Sequence, residues 1–172
     1  VLDYVARSCE TLKAAFERLA RYYRLLHDSV VIDIEAQNGE LCVVHRRIGN
    51  PRPLTRQAVE AAMASWVLRA RLLTGIDVRP RRITFCHPRP ANIAEHKRIL
   101  HCPIEFSRER NMLLLTREQA ELPIVSADLG LCAILDRHAQ EILARLPSHS
   151  FLQNIRAAVV ESMRGSAPSL KD

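Results

Sequence analysis

The chain has 172 residues, 48% of them apolar, and a formal net charge of +6. That length and apolar content suit one domain with a real core and an appended piece, and no apolar run is long enough to cross a bilayer or patterned as a signal peptide. The positive charge permits acidic partners, but the arginines (Arg46, Arg47, Arg52, Arg56, Arg79, Arg81, Arg82, Arg108, Arg110) are scattered with little aromatic interleaving, so a solvated basic surface is expected over a stacking groove for single strands.

The first predicted element is an amphipathic helix. Ser8 is the expected N-cap, with Glu10 in the first turn where the helix dipole favours a carboxylate. Leu12, Ala15, Phe16, Leu19, Tyr23 and Leu26 follow helical spacing and define the core face. This puts Tyr23 on the core face and Tyr22 on its flank. From Ser29 the period changes to two: Val30, Ile32 and Ile34 alternate with Val31, Asp33 and Glu35. Asn38-Gly39 is a hairpin turn signal, because both residues tolerate positive φ. A second strand follows from Glu40 to Ile48, with Leu41, Val43, His45 and Arg47 on one side.

After the break at "GNPRP" a long helix is expected from about Leu54 to Thr74. Val59, Ala62, Met63, Trp66, Ala70 and Leu73 form its stripe, and Gly75 suits its C-terminal cap. Short strands are expected at Arg82–Cys86, Pro103–Phe106 and Asn111–Leu115, with a short helix ending near Leu100. Beyond Pro123 the pattern is helical. Leu131, Ile134, Leu135, His138, Ile142 and Leu146 make one stripe, Pro147-Ser148 breaks it, and Phe151, Ile155, Ala158 and Val159 make another. The expected fold is α+β: a mixed or antiparallel sheet of about five strands packed with helices, then a C-terminal helical hairpin. The expected division is an α+β unit over 1–124, the hairpin over 125–165, and the start of a further domain over 166–172. The chain does not begin with Met and is expected to be a piece trimmed from a longer one.

The densest set of reactive side chains is Cys86, His87, His96, His101 and Cys102. These are zinc-ligand types, but their spacing matches no structural zinc pattern, and no metal is expected. A Cys-His nucleophile pair drawn from the same residues lacks an orienting third group and oxyanion donors. GxSxG, P-loop and GxGxxG motifs are absent. The five cysteines include no CxxC pair. Cys42 and Cys132 read as small buried hydrophobes, and a reducing, cytoplasmic compartment is expected.

The segment "ETLKAAFERLARYYRLLHDS" resembles the opening of the effector domain in the arabinose-binding-type branch of AraC/XylS transcriptional regulators. "RPRRITFCHPRP" followed by a short helix, "CPIEFSRERNMLLLTREQAELPI", the helical tail and the closing "GSAPSLKD" extend the resemblance over essentially the whole chain. Leu19, Tyr22, Tyr23, His87, Pro88, Pro103 and Phe106 match the branch pattern, which is one of packing and turn residues. The resemblance implies a sensor of a small molecule, of the amino-acid, carboxylate or fatty-acid class, without a cofactor and without enzymatic activity. It also implies that DNA is bound only through a domain that starts near "PSL-x-D". A haem- or metal-holding sensor and a Cys-His hydrolase are the alternatives.

On this reading a partly apolar effector is expected between the first helix, the long helix and the hairpin. Phe16, Tyr23, Met63 and Trp66 supply walls, while Arg47 takes a carboxylate in a two-point hydrogen bond and His45 is a second donor. Complete filling of the core by Trp66 and Phe16 is the competing account. A homodimer is expected through Leu131, Leu135, His138 and Ile142, unless that stripe folds onto the sheet.

Overall fold

The computed structural model describes residues 2–37, 39–48, 54–146, 155 and 158–160. The N-terminal segment is itself helical: α1 (Leu2–Ser8) buries Leu2 and Val5, and Ser8 closes it rather than capping the next helix. The Ser8 hydroxyl donates to the Tyr4 carbonyl at 3.0 Å. The true cap of α2 (Leu12–Tyr22) is Thr11, whose side chain accepts from the Ala14 N–H at 3.2 Å. The helix then tightens into a 3₁₀ turn over Tyr23–Leu25.

That geometry gives each of the adjacent tyrosines its own core. Tyr23 is 7% exposed and belongs to the main core, as its helical position predicts. Tyr22, expected on the flank, is fully buried: α1 and α6 cover it with Leu2, Val5 and Ala139. Its hydroxyl donates to Asp136 Oδ1 at 2.7 Å. The guanidiniums of Arg18 and Arg21 lie 3.4 and 3.8 Å from the same carboxylate.

β1 (Val30–Gln37) and β2 (Glu40–Arg47) pair antiparallel from Val30↔Arg47 to Gln37↔Glu40. Gly39 takes a φ of +81° in the connecting turn, a conformation that suits glycine. α3 (Arg56–Thr74) starts at Thr55, whose side chain accepts from the Ala58 N–H, and ends at Gly75 with φ +68°. β3 (Arg82–Thr84), α4 (Ala94–Leu100), β4 (Ile104–Glu105), β5 (Asn111–Leu115), α5 (Arg117–Ala120) and α6 (Leu129–Arg145) follow.

The sheet order is β1-β2-β5-β3-β4. Only the β3–β4 pairing is parallel, so the α+β fold carries a mixed five-stranded sheet among the described residues. Leu41, Val43 and His45 of β2 face the helices. On the opposite face Cys42, Val44, Met112 and Leu114 form a small buried cluster. Ion pairs Arg46–Asp33 and Arg110–Glu35, each at 2.8 Å, link β1 to β2 and to the residue that precedes β5.

α6 is rotated from the expected stripe. Cys132 and Ala139 are buried, Cys132 against Cys9 and Ala15 and Ala139 beside Leu135 and Leu143. The reason is steric: small side chains let α1 and α2 approach closely, and Cys132 Sγ lies 3.9 Å from Cys9 Sγ. Leu131 and Ile134 therefore turn outward, 43% and 58% exposed, and His138 is exposed with them. Ile155 and residues 158–160 are helical. The break at Pro147-Ser148 and the segment 166–172 lie outside the described residues.

Tyr22 couples α2 to α6 through a hydrogen bond to a carboxylate. Tyr22→Phe is expected to lower stability by about 1–2 kcal/mol, because the Asp136 carboxylate loses a donor while packing is kept. Urea denaturation of the two proteins measures it, as a lowered midpoint at unchanged slope.

Candidate ligand-binding site

The face that α3 turns toward α1 and α2 carries Ala58, Ala61, Ala62 and Ser65. Four side chains this small cannot fill the space between helices. The remainder is a cavity of about 730 Å³ with an open side, within the range of small-molecule sites. Its walls include Leu2, Asp3 and Ala6 from α1, Leu12, Phe16 and Leu19 from α2, and Trp66, Arg69, Ala70 and Leu73 from α3. Tyr23, His27, Val30 and His45 close the end nearest the sheet.

Four of the six residues expected at an effector site line this cavity: Phe16, Tyr23, His45 and Trp66. They form a chain of edge-on rings. Phe16 and Trp66 have centroids 6.4 Å apart at 82°, His45 and Trp66 5.4 Å at 82°, and Tyr23 and His45 6.2 Å at 85°. Met63 does not line it, being fully buried in the core. Arg47 is on the same strand face as His45 but does not line the cavity either. Asp3, His27, Ser65 and Arg69, which do line it, were not among the expected residues. Arg69 was detectable: it falls three residues after Trp66 and seven after Ala62, on the edge of the same helical stripe.

His45 is the chemically distinctive group. It is 5% exposed, and burial, with the His27 charge as the second cause, pushes its pKa down to about 4. At neutral pH it is an uncharged imidazole in an apolar wall. Its Nδ1 has no hydrogen-bond partner among the described residues. A buried polar atom left in that state is available to a ligand. Burial likewise pushes the Tyr23 hydroxyl up, so it stays protonated and can donate.

The zinc-type residues are not assembled around one centre. His87 and His96 converge on Glu60, their Nε2 atoms 3.4 and 2.8 Å from its Oε1, beside Phe85 and Phe106. His101 instead sits 3.4 Å from Asp77. Among the described residues no three His, Cys, Asp or Glu side chains are grouped to hold a metal. The Cys86 thiol donates to the Glu109 carbonyl at 3.3 Å, while His87 Nδ1 lies 2.9 Å from the Pro88 carbonyl. Burial raises the Cys86 thiol pKa and pushes Cys102 up to about 11, which opposes a thiolate nucleophile. Cys9, pushed up to about 12 chiefly by burial and then by the charge of Cys132, is equally inert.

Residues 1–124 match the family model described as the arabinose-binding domain of AraC transcription regulator, N-terminal. No curated protein matches the chain. Among solved structures, the transcriptional regulator CdpR from Pseudomonas aeruginosa is similar in fold, with a TM-score of 0.57 at 17% identity. The match covers 96% of this chain and 55% of that one, so this chain spans about half the length of that regulator. No helix among the described residues is long and apolar enough to cross a membrane.

The neutral state of His45 makes stability depend on pH. Its folded pKa lies below the unfolded value of about 6.5, so the unfolded chain binds the extra proton first and acid weakens the fold. A contribution of about 3 kcal/mol is present above about pH 6.5 and is lost as the pH falls to about 4. Thermal melts across that window are expected to show the loss in the parent and a flatter profile in His45→Phe.

Proposed function

The chain belongs to the family of arabinose-binding-type N-terminal domains of AraC transcription regulators, and from that premise we propose that the cavity between α1, α2, α3 and β2 is the effector site of a transcription regulator. The supporting observation is the open cavity itself, apolar along most of its wall and carrying an unpartnered imidazole. The effector is a small molecule of the amino-acid, carboxylate or fatty-acid class. The domain senses and does not turn over its ligand, and it acts in the cytoplasm, where the DNA is.

α1 provides a route for the signal. Its Leu2, Asp3 and Ala6 line the cavity, and its Leu2 and Val5 also pack with Ala139 of α6. A ligand that favours one placement of α1 thereby favours one placement of α6. Residues 1–124 are the sensor in this reading, 125–165 a linker, and 166–172 the beginning of the DNA-binding part. The outward side chains Leu131, Ile134 and His138 are the proposed surface for a second copy. Of the other two residues expected at that surface, Leu135 packs on the inner side of α6 with Leu143, and Ile142 is half-buried.

Two experiments test this reading. A thermal-shift screen of amino acids and carboxylates should find a ligand that stabilises the domain by about 2.7 kcal/mol at about a hundredfold its dissociation constant. Ala62→Phe should abolish that shift by occupying the cavity; a shift that survives in this folded variant places the ligand elsewhere. For self-association, Leu131→Glu with Ile134→Glu should yield a folded monomer by sedimentation. An unchanged assembly state rules out that face as the interface.

A further inference from the structure

The mouth of the cavity carries an unequal set of charges. Arg69 lines it and pairs with Asp3, which comes from α1 on the other side. Asp3 also takes the Arg7 guanidinium, Nε to Oδ2 at 2.9 Å. One carboxylate thus faces two guanidiniums, leaving one positive charge over. Ser65, one turn before Arg69 on the same face of α3, adds a hydroxyl to the lining.

We infer that Arg69 is the anion-binding residue of this site and that the effector is a monocarboxylate with an apolar body. The inference rests on the cavity being the effector site, narrows the ligand class given above, and names the residue that anchors it. A guanidinium beside a hydroxyl suits a carboxylate, through charge-assisted hydrogen bonds. Beyond the mouth the wall is Leu12, Phe16, Leu19 and Trp66, which reward an apolar body. A sugar fits poorly, because a hydroxyl on nearly every carbon would meet these side chains without partners. An amino acid fits poorly too: the acid in the described lining is Asp3, and both of its oxygens are engaged by arginines.

The same contact explains how a carboxylate could be felt at α1. Arg69 cannot give its full hydrogen-bonding fork to Asp3 and to the ligand together. The incoming carboxylate competes with Asp3, and α1 loses a tether to α3. The half-exposed setting of Arg69 makes this electrostatic contribution sensitive to salt.

The test compares octanoate with octanamide, alike in length and shape but differing in charge, by calorimetric titration of the intact 172-residue chain. Octanoate is expected to bind about tenfold more tightly than octanamide, with the preference shrinking as salt is raised. Arg69→Gln should erase the preference and leave octanamide binding in place. Asp3→Asn should tighten octanoate binding, because the competitor for Arg69 is gone. These opposite directions separate an anion site from a merely structural ion pair, whose two partners would give the same change when removed. Equal binding of both compounds, a preference that survives Arg69→Gln, or weakening by Asp3→Asn would each overturn the assignment. Octanamide binding that Ala62→Phe blocks would leave the cavity reading standing in those cases. Failure of both compounds to bind overturns the ligand class, and the broader screen against Ala62→Phe then decides the cavity.

Discussion

The edge-on contact of Trp66 with Phe16 and His45 governs the space between the helices and the sheet. Trp66 is the sole tryptophan in the chain, and it projects from α3 at a point where α2 and β2 both reach it. Its bulk acts as a spacer. On the neighbouring turns α3 offers only Ala58, Ala61, Ala62 and Ser65, too small to reach across the gap the ring creates. A large ring flanked by small side chains is a poor way to complete a core and a direct way to keep a cavity. The two expectations drawn from the residues alone, a filled core and a pocket, both used Trp66. The neighbouring small side chains separate them.

The polar groups follow from that spacing. His45 occupies a core position of β2, on the face shared with Leu41 and Val43. There it is held neutral at neutral pH, since a charged imidazole would lose its hydration without a partner. The charges stay at the mouth, where Asp3 and Arg69 are each about half exposed. The gradient from a charged entrance to an apolar interior with a neutral imidazole is the basis of the proposed preference for a ligand with one polar end.

Much of the architecture was legible locally. The alternation from Val30 to Ile34, Gly39 in the turn and Thr74-Gly75 at the end of α3 each name their structure through backbone preference. Other features were not. α1 has only seven residues, and so short a span has no repeat long enough to reveal a period. The burial of Tyr22 depends on α1 and α6, elements that lie far from it in the chain or were not visible. The place of β5 between β2 and β3 is likewise a long-range pairing with no local signal. Strand alternation put Arg47 and His45 on one face, correctly, but it says nothing of depth. Arg47 is the last residue of β2 and misses the cavity, while Arg69 on α3 reaches it.

The position of Trp66 also offers a direct view of the site. Because it is the sole tryptophan, its emission reports on the cavity wall without interference from another indole. The most direct measurement is a fluorescence titration of the domain with a compound that raises its melting temperature. A ligand in the cavity is predicted to change Trp66 emission saturably, with the same dissociation constant that the thermal stabilisation gives. Stabilisation with no change in Trp66 emission would contradict the account, because the ligand would then be bound away from the wall that Trp66 forms.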